Sequence, residues 1–364
     1  MHETRSLETL TGLAIASKQC RDSILPPSAG FLTPPGPKAN ITISFNFDSE
    51  FVGNLGRTTP TATQKIGQRT GVTVQIRGIE EPEGLIFVHP DQAQLAERTG
   101  RKLRHPVVSH PCVVGDWLEA RGVDVRIFED EALWKETRKT CRLQMLAHFA
   151  VADVAFLAGT PEFDETIRNL FATRRLRHTK RLEARTSGHE RASGKHGVEL
   201  KPWLISLEGN LYKLRLEIVD SNALHGVASY KELAKNVGYS LDAKERISRS
   251  GRNPEIGRMD EMYWEKPVDF DAYALGDLHV SDILRKNDEL WLHIWESLGI
   301  EKHFKGSRLT IGASVASIIG ARIANRLGFP DPHDEAFQAL TTGTHTASFL
   351  ARKAKEKDPV CLTS

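Results

Sequence analysis

The chain reads ITISFNFDSE over residues 41–50, and the first seven of these residues decide how the fold begins. β-Branched and aromatic residues alternate with polar ones over 41–47, a pattern that predicts a β-strand. Runs of the same character follow at 72–76 and 85–88, after modest connections. Three such runs in succession predict an antiparallel meander.

Helix and strand patterns alternate through the rest of the chain, as expected for an α/β protein. A turn at Gly209-Asn210 lies between two strand-like runs and predicts a hairpin. The other expected elements are helices at 130–142, 229–237, 268–284 and 289–298, a short buried strand at 145–149, and the start of a further helix at 154–157.

Two acidic residues, Asp48 and Glu50, end the first strand in the only Asp-x-Glu of the chain. Side chains two residues apart on a strand point to the same side of the sheet, so these carboxylates repel each other. A divalent cation such as Mg²⁺ or Mn²⁺ would neutralise the pair, because both ions prefer hard oxygen ligands. The alternative interpretation is an exposed strand end whose carboxylates are simply solvated.

A single acid, Asp153, interrupts the apolar run LAHFAVADVAFL at 146–157. A buried carboxylate is costly unless it has a partner, a proton or a metal ion. The alternative is a helix N-cap, since Asp before an apolar helix start commonly has that role.

Tyr273 and Asp277 are four residues apart in a predicted helix, which places them on one face. A phenol beside a metal-binding carboxylate can orient a water molecule for attack. The alternative is an amphipathic helix in which Tyr273 is merely half-buried.

In their order along the chain, these residues resemble the 3′–5′ exonucleases of the DnaQ-like, ribonuclease-H-like superfamily, in the tyrosine-containing (DEDDy) subgroup. Residues 47–50, 147–157 and 273–277 are similar to its first, second and third motifs. Residues 219–221 and 229–238 resemble a segment of family B DNA polymerases, and most closely the protein-primed type of plasmids and mobile elements. The resemblance covers roughly residues 40–315.

The resemblance implies an α/β, ribonuclease-H-like fold over residues 39–300, with a mixed central β-sheet flanked by helices. It implies a metal-dependent exonuclease that hydrolyses single-stranded DNA from the 3′ end with two Mg²⁺ or Mn²⁺ ions. Tyr273 is the implied water-orienting residue, and Asp220 is expected to be structural. The implied catalytic metal ligands are Asp48, Glu50, Asp153 and Asp277.

Two features depart from the family pattern. Many family B polymerases carry Asn directly after the second-motif His, where it touches single-stranded DNA. Here Phe149 follows His148, and Ala152 precedes Asp153 where an aromatic residue is common. The chain also has no palm-type aspartate motif, so we expect an exonuclease domain without its polymerase, with a separate polymerase subunit as a possible partner.

Nucleic acid binding is expected from a basic insertion at 166–201, which holds ten Lys or Arg residues against three Glu. Such side chains bind phosphates without sequence preference, although a solvated loop is the alternative. Phe51 would stack on a terminal base or pack in the core, and His148 would contact nucleic acid or be structural. The candidate phosphate contacts are Arg174, Arg175, Arg177, Lys180 and Arg181.

Composition narrows the class of protein. Lys plus Arg is 49 and Asp plus Glu is 47, so the net charge of +2 gives no argument for attraction of nucleic acid by the whole molecule, and a basic binding surface must be local. Four cysteines without a Cys-x-x-Cys disfavour a disulfide framework or zinc module and predict a cytoplasmic location. No membrane span is expected.

We expect a Pro-rich leader at 1–38 and a helical C-terminal tail at 301–364, docked on the core or on a partner.

Two other functions are compatible with the sequence. One is a catalytically idle exonuclease-like module that binds nucleic acid or a polymerase, although an idle site has no physical reason to keep repelling carboxylates together. The other is the same chemistry on RNA, because discrimination of the 2′-hydroxyl depends on the shape of the pocket.

Overall fold

The computed structural model describes residues 39–53, 69–172, 198–222, 229–241, 259–304, 306, 311–329 and 332. The predicted leader at 1–38, most of the basic insertion and the end of the C-terminal tail lie outside these residues.

One mixed β-sheet of seven strands lies in this part of the chain. The strands are β1 (Ala39–Gly53), β2 (Arg69–Gly78), β3 (Leu85–Val88), β4 (Val125–Glu129), β5 (Thr140–Ala147), β6 (Val198–Leu207) and β7 (Asn210–Asp220). Their order is β3-β2-β1-β5-β7-β6-β4. β1 is antiparallel to β2 and parallel to β5, which is parallel to β7. The predicted meander of β1, β2 and β3 is confirmed.

Helices connect and cover the strands. They are α1 (Pro90–Thr99), α2 (Val113–Glu119), α3 (Glu131–Glu136), α4 (Ala150–Asp153), α5 (Pro161–Ala172), α6 (Tyr230–Asn236), α7 (Met259–Glu265), α8 (Pro267–Leu275), α9 (Val280–Ser297) and α10 (Ile311–Arg326). Among the described helices, none combines the length and the apolar character needed to cross a lipid bilayer.

The two faces of the sheet bury different side chains, because successive strand residues point to opposite sides. Phe45 and Phe47 of β1 lie in the main hydrophobic core with side chains of β5, α2 and α5. The opposite face receives Asn46, Asp48 and Glu50. There α6 and α9 pack against β5 and β7, and α7 and α8 pack against β2 and β3.

Two predicted elements are confirmed. The hairpin of β6 and β7 turns at Glu208 and Gly209, both with positive φ, as hairpin turns commonly require. The helix expected at 229–237 is α6. It begins with a capping box, in which the Ser229 side chain accepts from the Glu232 N–H and the Glu232 side chain accepts from the Ser229 N–H.

The helix predicted at 130–142 is wrong in its second half, because α3 ends at Glu136 and β5 begins at Thr140. The strand predicted at 145–149 is the end of β5. Every residue of β5 is buried, since the strand lies between β1 and β7 and is covered on both faces. A strand buried in this way lacks apolar–polar alternation, so its pattern does not distinguish it from a helix.

The helix predicted at 268–284 is interrupted. α8 ends at Leu275, and a turn over 276–279 precedes α9. Gly276 is a poor helix former and lies where α8 ends. Asp277 therefore lies in this turn, beyond the helix that carries Tyr273.

β1 is tied to α9 by the fully buried side chain of Asn46. Its Oδ1 accepts a hydrogen bond from the Ser281 backbone N–H (2.7 Å), and its Nδ2 donates to Ser281 Oγ (2.9 Å). The Ser281 N–H belongs to the first turn of α9, where N–H groups have no partner within the helix. Asn46 therefore caps α9 from the neighbouring strand.

Replacing Asn46 with Ala leaves the Ser281 N–H buried and without this acceptor, so we expect the free energy of unfolding to fall by about 2–3 kcal/mol. Ser44→Ala is the control on the same strand, because it removes the partly buried hydrogen bond from Ser44 Oγ to Gln144 (2.8 Å) and should cost about 1 kcal/mol or less. Urea denaturation measures both. Equal losses would contradict the capping role.

Candidate active site

Three carboxylates meet on the face of the sheet that α6, α7, α8 and α9 cover. Asp48, Glu50 and Asp277 each offer an oxygen atom, and these atoms lie within 4.8 Å of one another. Glu50 is buried, and Asp48 and Asp277 are half-buried. Negative charges so close together repel strongly where water is partly excluded. Carboxylate oxygens are the ligands that Mg²⁺ and Mn²⁺ prefer, so the set fits such an ion.

The turn that carries Asp277 is held by the phenol of Tyr230, at the start of α6. Tyr230 Oη donates a hydrogen bond to the Asp277 carbonyl oxygen (3.2 Å) and accepts one from the His279 N–H (3.0 Å). Burial and the nearby carboxylate of Asp277 raise the pKa of Tyr230 well above its usual range, so the phenol keeps its proton. Tyr230 thus fixes the backbone on both sides of the turn.

Asp153 lies outside the group of three but within its electrostatic reach. It is 4 % exposed, and its Oδ1 accepts a hydrogen bond from Ser49 Oγ (2.8 Å). Ser49 lies between Asp48 and Glu50 in the sequence. Burial raises the pKa of Asp153 to about 8; Asp220 and Asp277 add to the rise, while Ser49 and Arg69 oppose it. Its side chain does not cap a helix, which removes the alternative considered above.

Asp220 holds the turn that leads from β5 to Asp153. Its two carboxylate oxygens accept hydrogen bonds from the N–H groups of Phe149 (2.9 Å), Ala150 (3.0 Å) and Asn222 (2.9 Å). Phe149 has a left-handed backbone (φ 64°), which is uncommon for a residue with a bulky side chain. Burial raises the pKa of Asp220 to about 6, although these backbone groups oppose the rise. These contacts agree with the structural role expected for Asp220.

The other predicted site residues in the described part of the chain contact different groups. Tyr273 is half-buried on α8 and packs against the apolar cluster between α8 and β2. His148 Nδ1 lies 3.0 Å from Ser221 Oγ, and its ring lies beside that of Tyr230, which fits a structural histidine.

Phe51 is stacked on Phe156 at a centroid distance of 5.2 Å, and the Arg69 guanidinium lies 4.1 Å from its ring centre. The ring therefore packs against protein groups beside the main core, as the core-packing alternative requires. The five candidate phosphate contacts, Arg174, Arg175, Arg177, Lys180 and Arg181, lie outside the described residues.

Sequence reasoning missed the supporting residues Tyr230, Ser49 and Arg69. Each acts through a partner distant in sequence, such as Tyr230 with the turn at Asp277. The capping box at Ser229 located the start of α6 but did not show which way the phenol of Tyr230 points.

No family model matches the chain, and no curated protein matches it in sequence. Indications of function therefore come from the geometry of these carboxylates and from the order of the motifs along the chain.

Mg²⁺ or Mn²⁺ at saturation should raise the Tm of the protein by about 5–10 °C relative to chelator, because the ions relieve the repulsion within the group of three. Asp277→Asn should lose most of this response, while its Tm in chelator stays the same or rises. Asp269→Asn, an exposed acid on α8, is the matched control and should respond as the wild type does. Differential scanning calorimetry measures the Tm of each protein with the ions and with chelator. Identical wild-type curves under the two conditions would count against a metal site.

Asp153→Asn should stabilise the metal-free protein at high pH. The folded chain keeps the Asp153 proton up to about pH 8, whereas the unfolded chain loses it near 3.8, so this group lowers the free energy of unfolding as the pH rises between these values. The slope is about 1.4 kcal/mol per pH unit. Urea denaturation in chelator should therefore show the variant gaining on the wild type from pH 6 to 8 and no further above about pH 9. A constant difference over this range would show that the proton is not held.

Proposed function

We propose that this protein is a metal-dependent 3′–5′ exonuclease of the DnaQ-like, tyrosine-containing type, acting on single-stranded DNA. The observation that carries the proposal is the meeting of Asp48, Glu50 and Asp277 within 4.8 Å. They are the first, second and last acids of the motif order, and they come from two parts of the fold, β1 and the turn after α8. Carboxylates held this close at a partly buried place repel one another, and a divalent cation between them would relieve that repulsion.

The arrangement of the sheet also supports a ribonuclease-H-like fold. The antiparallel strands β3, β2 and β1 are followed across the sheet by β5 and β7, both parallel to β1. The carboxylates of β1 therefore lie on a central strand, beside the end of β5 that leads to Asp153. In this proposal, β6 and β4 extend the sheet at its edge.

Bound divalent cations would polarise the scissile phosphate and lower the pKa of the attacking water. Asp48, Glu50 and Asp277 would hold them, and Asp153 would join as a ligand once it has lost its proton. Tyr273, near the end of α8 and just before the turn that carries Asp277, would orient the water. Tyr230 and Asp220 would hold the backbones that carry Asp277 and Asp153.

Phe149 is the described residue that best offers a surface to the substrate. Its side chain is 49 % exposed, in the turn that precedes Asp153. An exposed aromatic ring stacks on nucleobases with little preference for sequence. This fits an enzyme that degrades strands of any sequence. Phe149 would then take the place of the Asn that touches single-stranded DNA in many family B polymerases.

The test is digestion of a 5′-labelled single-stranded DNA oligonucleotide with Mg²⁺ or Mn²⁺. The wild type should produce a ladder that shortens from the 3′ end. Asp48→Ala and Asp277→Asn should each slow it by at least about a hundredfold, since charge stabilisation by the metal is worth several kcal/mol. Asp269→Asn should leave the rate unchanged.

Failure to shorten DNA with either ion would overturn the proposal. A matched RNA oligonucleotide that is degraded faster than DNA would move the substrate to RNA. Binding of the oligonucleotide without cleavage would identify the idle module instead.

A further inference from the structure

Two polar side chains of β2 lie beside the carboxylates of β1. Gln75 is paired with Asp48 across the two strands, and Thr73 is paired with Glu50. Residues directly opposite each other in an antiparallel pair point to the same face of the sheet, with Cβ atoms about 4.5–5.5 Å apart. Thr73 and Gln75 are both completely buried. They therefore border the group of three carboxylates from inside the protein.

The amide of Gln75 uses only one of its two polar atoms. Its Nε2 donates a hydrogen bond to Thr73 Oγ1 (2.5 Å). Its Oε1 is buried, and in the part of the chain that the structure describes no group donates a hydrogen bond to it. Burying a carbonyl oxygen without a donor is costly, and groups of this kind often mark a bound ion or a catalytic role.

The neighbours of Gln75 indicate what this oxygen serves. Towards β3 the neighbour is Ile86, which belongs to the apolar cluster formed with α7 and α8. Towards β1 the neighbour is Asp48, one of the three acids. A carbonyl oxygen beside carboxylates adds to the negative potential, which is unfavourable without a cation and favourable with one. Amide carbonyls bind hard divalent cations together with carboxylates.

We propose that Gln75 supplies a fourth oxygen to a divalent cation held by Asp48, Glu50 and Asp277, and that Thr73 holds the amide in place for it. The inference rests on the metal-dependent function proposed above. Oε1 contributes in the same way whether it binds the ion or a water molecule on the ion. Because the side chain is completely buried, it acts on the ion and not on the substrate.

A glutamine suits this position better than a fourth acid. Three carboxylates already repel one another here, and one more buried negative charge would raise the cost of the metal-free state. The amide oxygen of Gln75 adds a ligand without adding a charge. The hydrogen bond to Thr73 leaves the oxygen, rather than the nitrogen, for the cation.

The experiment measures the affinity of the full chain for Mn²⁺ by isothermal titration calorimetry. Gln75→Met keeps the length of the side chain but removes the amide, so Mn²⁺ binding should weaken by about tenfold or more, as it commonly does when groups around a metal are lost. Gln75→Glu keeps an oxygen at this position and should bind Mn²⁺ far more tightly than Gln75→Met.

Gln144→Met is the matched control, because it makes the same change to another buried glutamine on the same face of the sheet. Gln144 is paired with Ser44 of β1, and its Oε1 accepts a hydrogen bond from Ser44 Oγ (2.8 Å). Ser44 precedes Asp48 by four residues, which is roughly 13 Å along a strand. The Mn²⁺ affinity of Gln144→Met should therefore equal that of the wild type.

The Tm in chelator distinguishes a ligand from a purely structural side chain. Gln75→Met removes one hydrogen bond and also one buried oxygen without a donor, two changes with opposite effects on stability. Its Tm in chelator should therefore stay close to that of the wild type. Circular dichroism checks that each variant folds, and Gln75→Met decides alone if Gln75→Glu does not fold.

Three results would overturn this inference. The first is wild-type Mn²⁺ affinity in Gln75→Met, and the second is an equal loss of affinity in Gln75→Met and Gln144→Met. The third is a Gln75→Met chain that unfolds in chelator, because the amide would then serve the fold. Each of these leaves the proposed function intact if the wild type binds Mn²⁺ and shortens DNA. A wild type that does neither overturns the proposed function together with this inference.

Discussion

The alternation of side chains along β1 is the constraint on which the rest of the structure depends. Phe45 and Phe47 are almost completely buried in the main core, so the register of this central strand is fixed by the packing of two large rings. Asp48 and Glu50 must then point to the opposite face. A slip of one residue would bring the carboxylates into the apolar core and the rings out of it, at a cost that no local contact could offset.

The third carboxylate, Asp277, depends on polar contacts made around its turn. Asn46 caps α9 from β1, Tyr230 fixes the turn itself, and Arg77 of β2 binds Asp282 of α9 (2.5 Å). Burial would raise the pKa of Asp282, but hydrogen bonds from His279 and Arg77 lower it to about 2, so this ion pair persists through the neutral range. Uncharged groups and the Arg77–Asp282 ion pair thus hold the turn that carries Asp277.

The sequence revealed what depends on local pattern and missed what depends on distant partners. The meander and the hairpin were predictable because strands with one core face alternate clearly. β5 was taken in part for a helix because burial on both faces removes that alternation. The close approach of Asp48, Glu50 and Asp277 was predictable from spacing and motif order. The part played by Tyr230 was not, because its phenol acts on backbone groups of residues far along the chain.

The acids of the site fall into two electrostatic classes, and this has a consequence for the proposed enzyme. Asp48, Glu50 and Asp277 already lie together, whereas Asp153 is buried beside Ser49 with a pKa near 8 and holds its proton at neutral pH. A cation bound by the group of three would add positive charge close to Asp153 and favour loss of that proton.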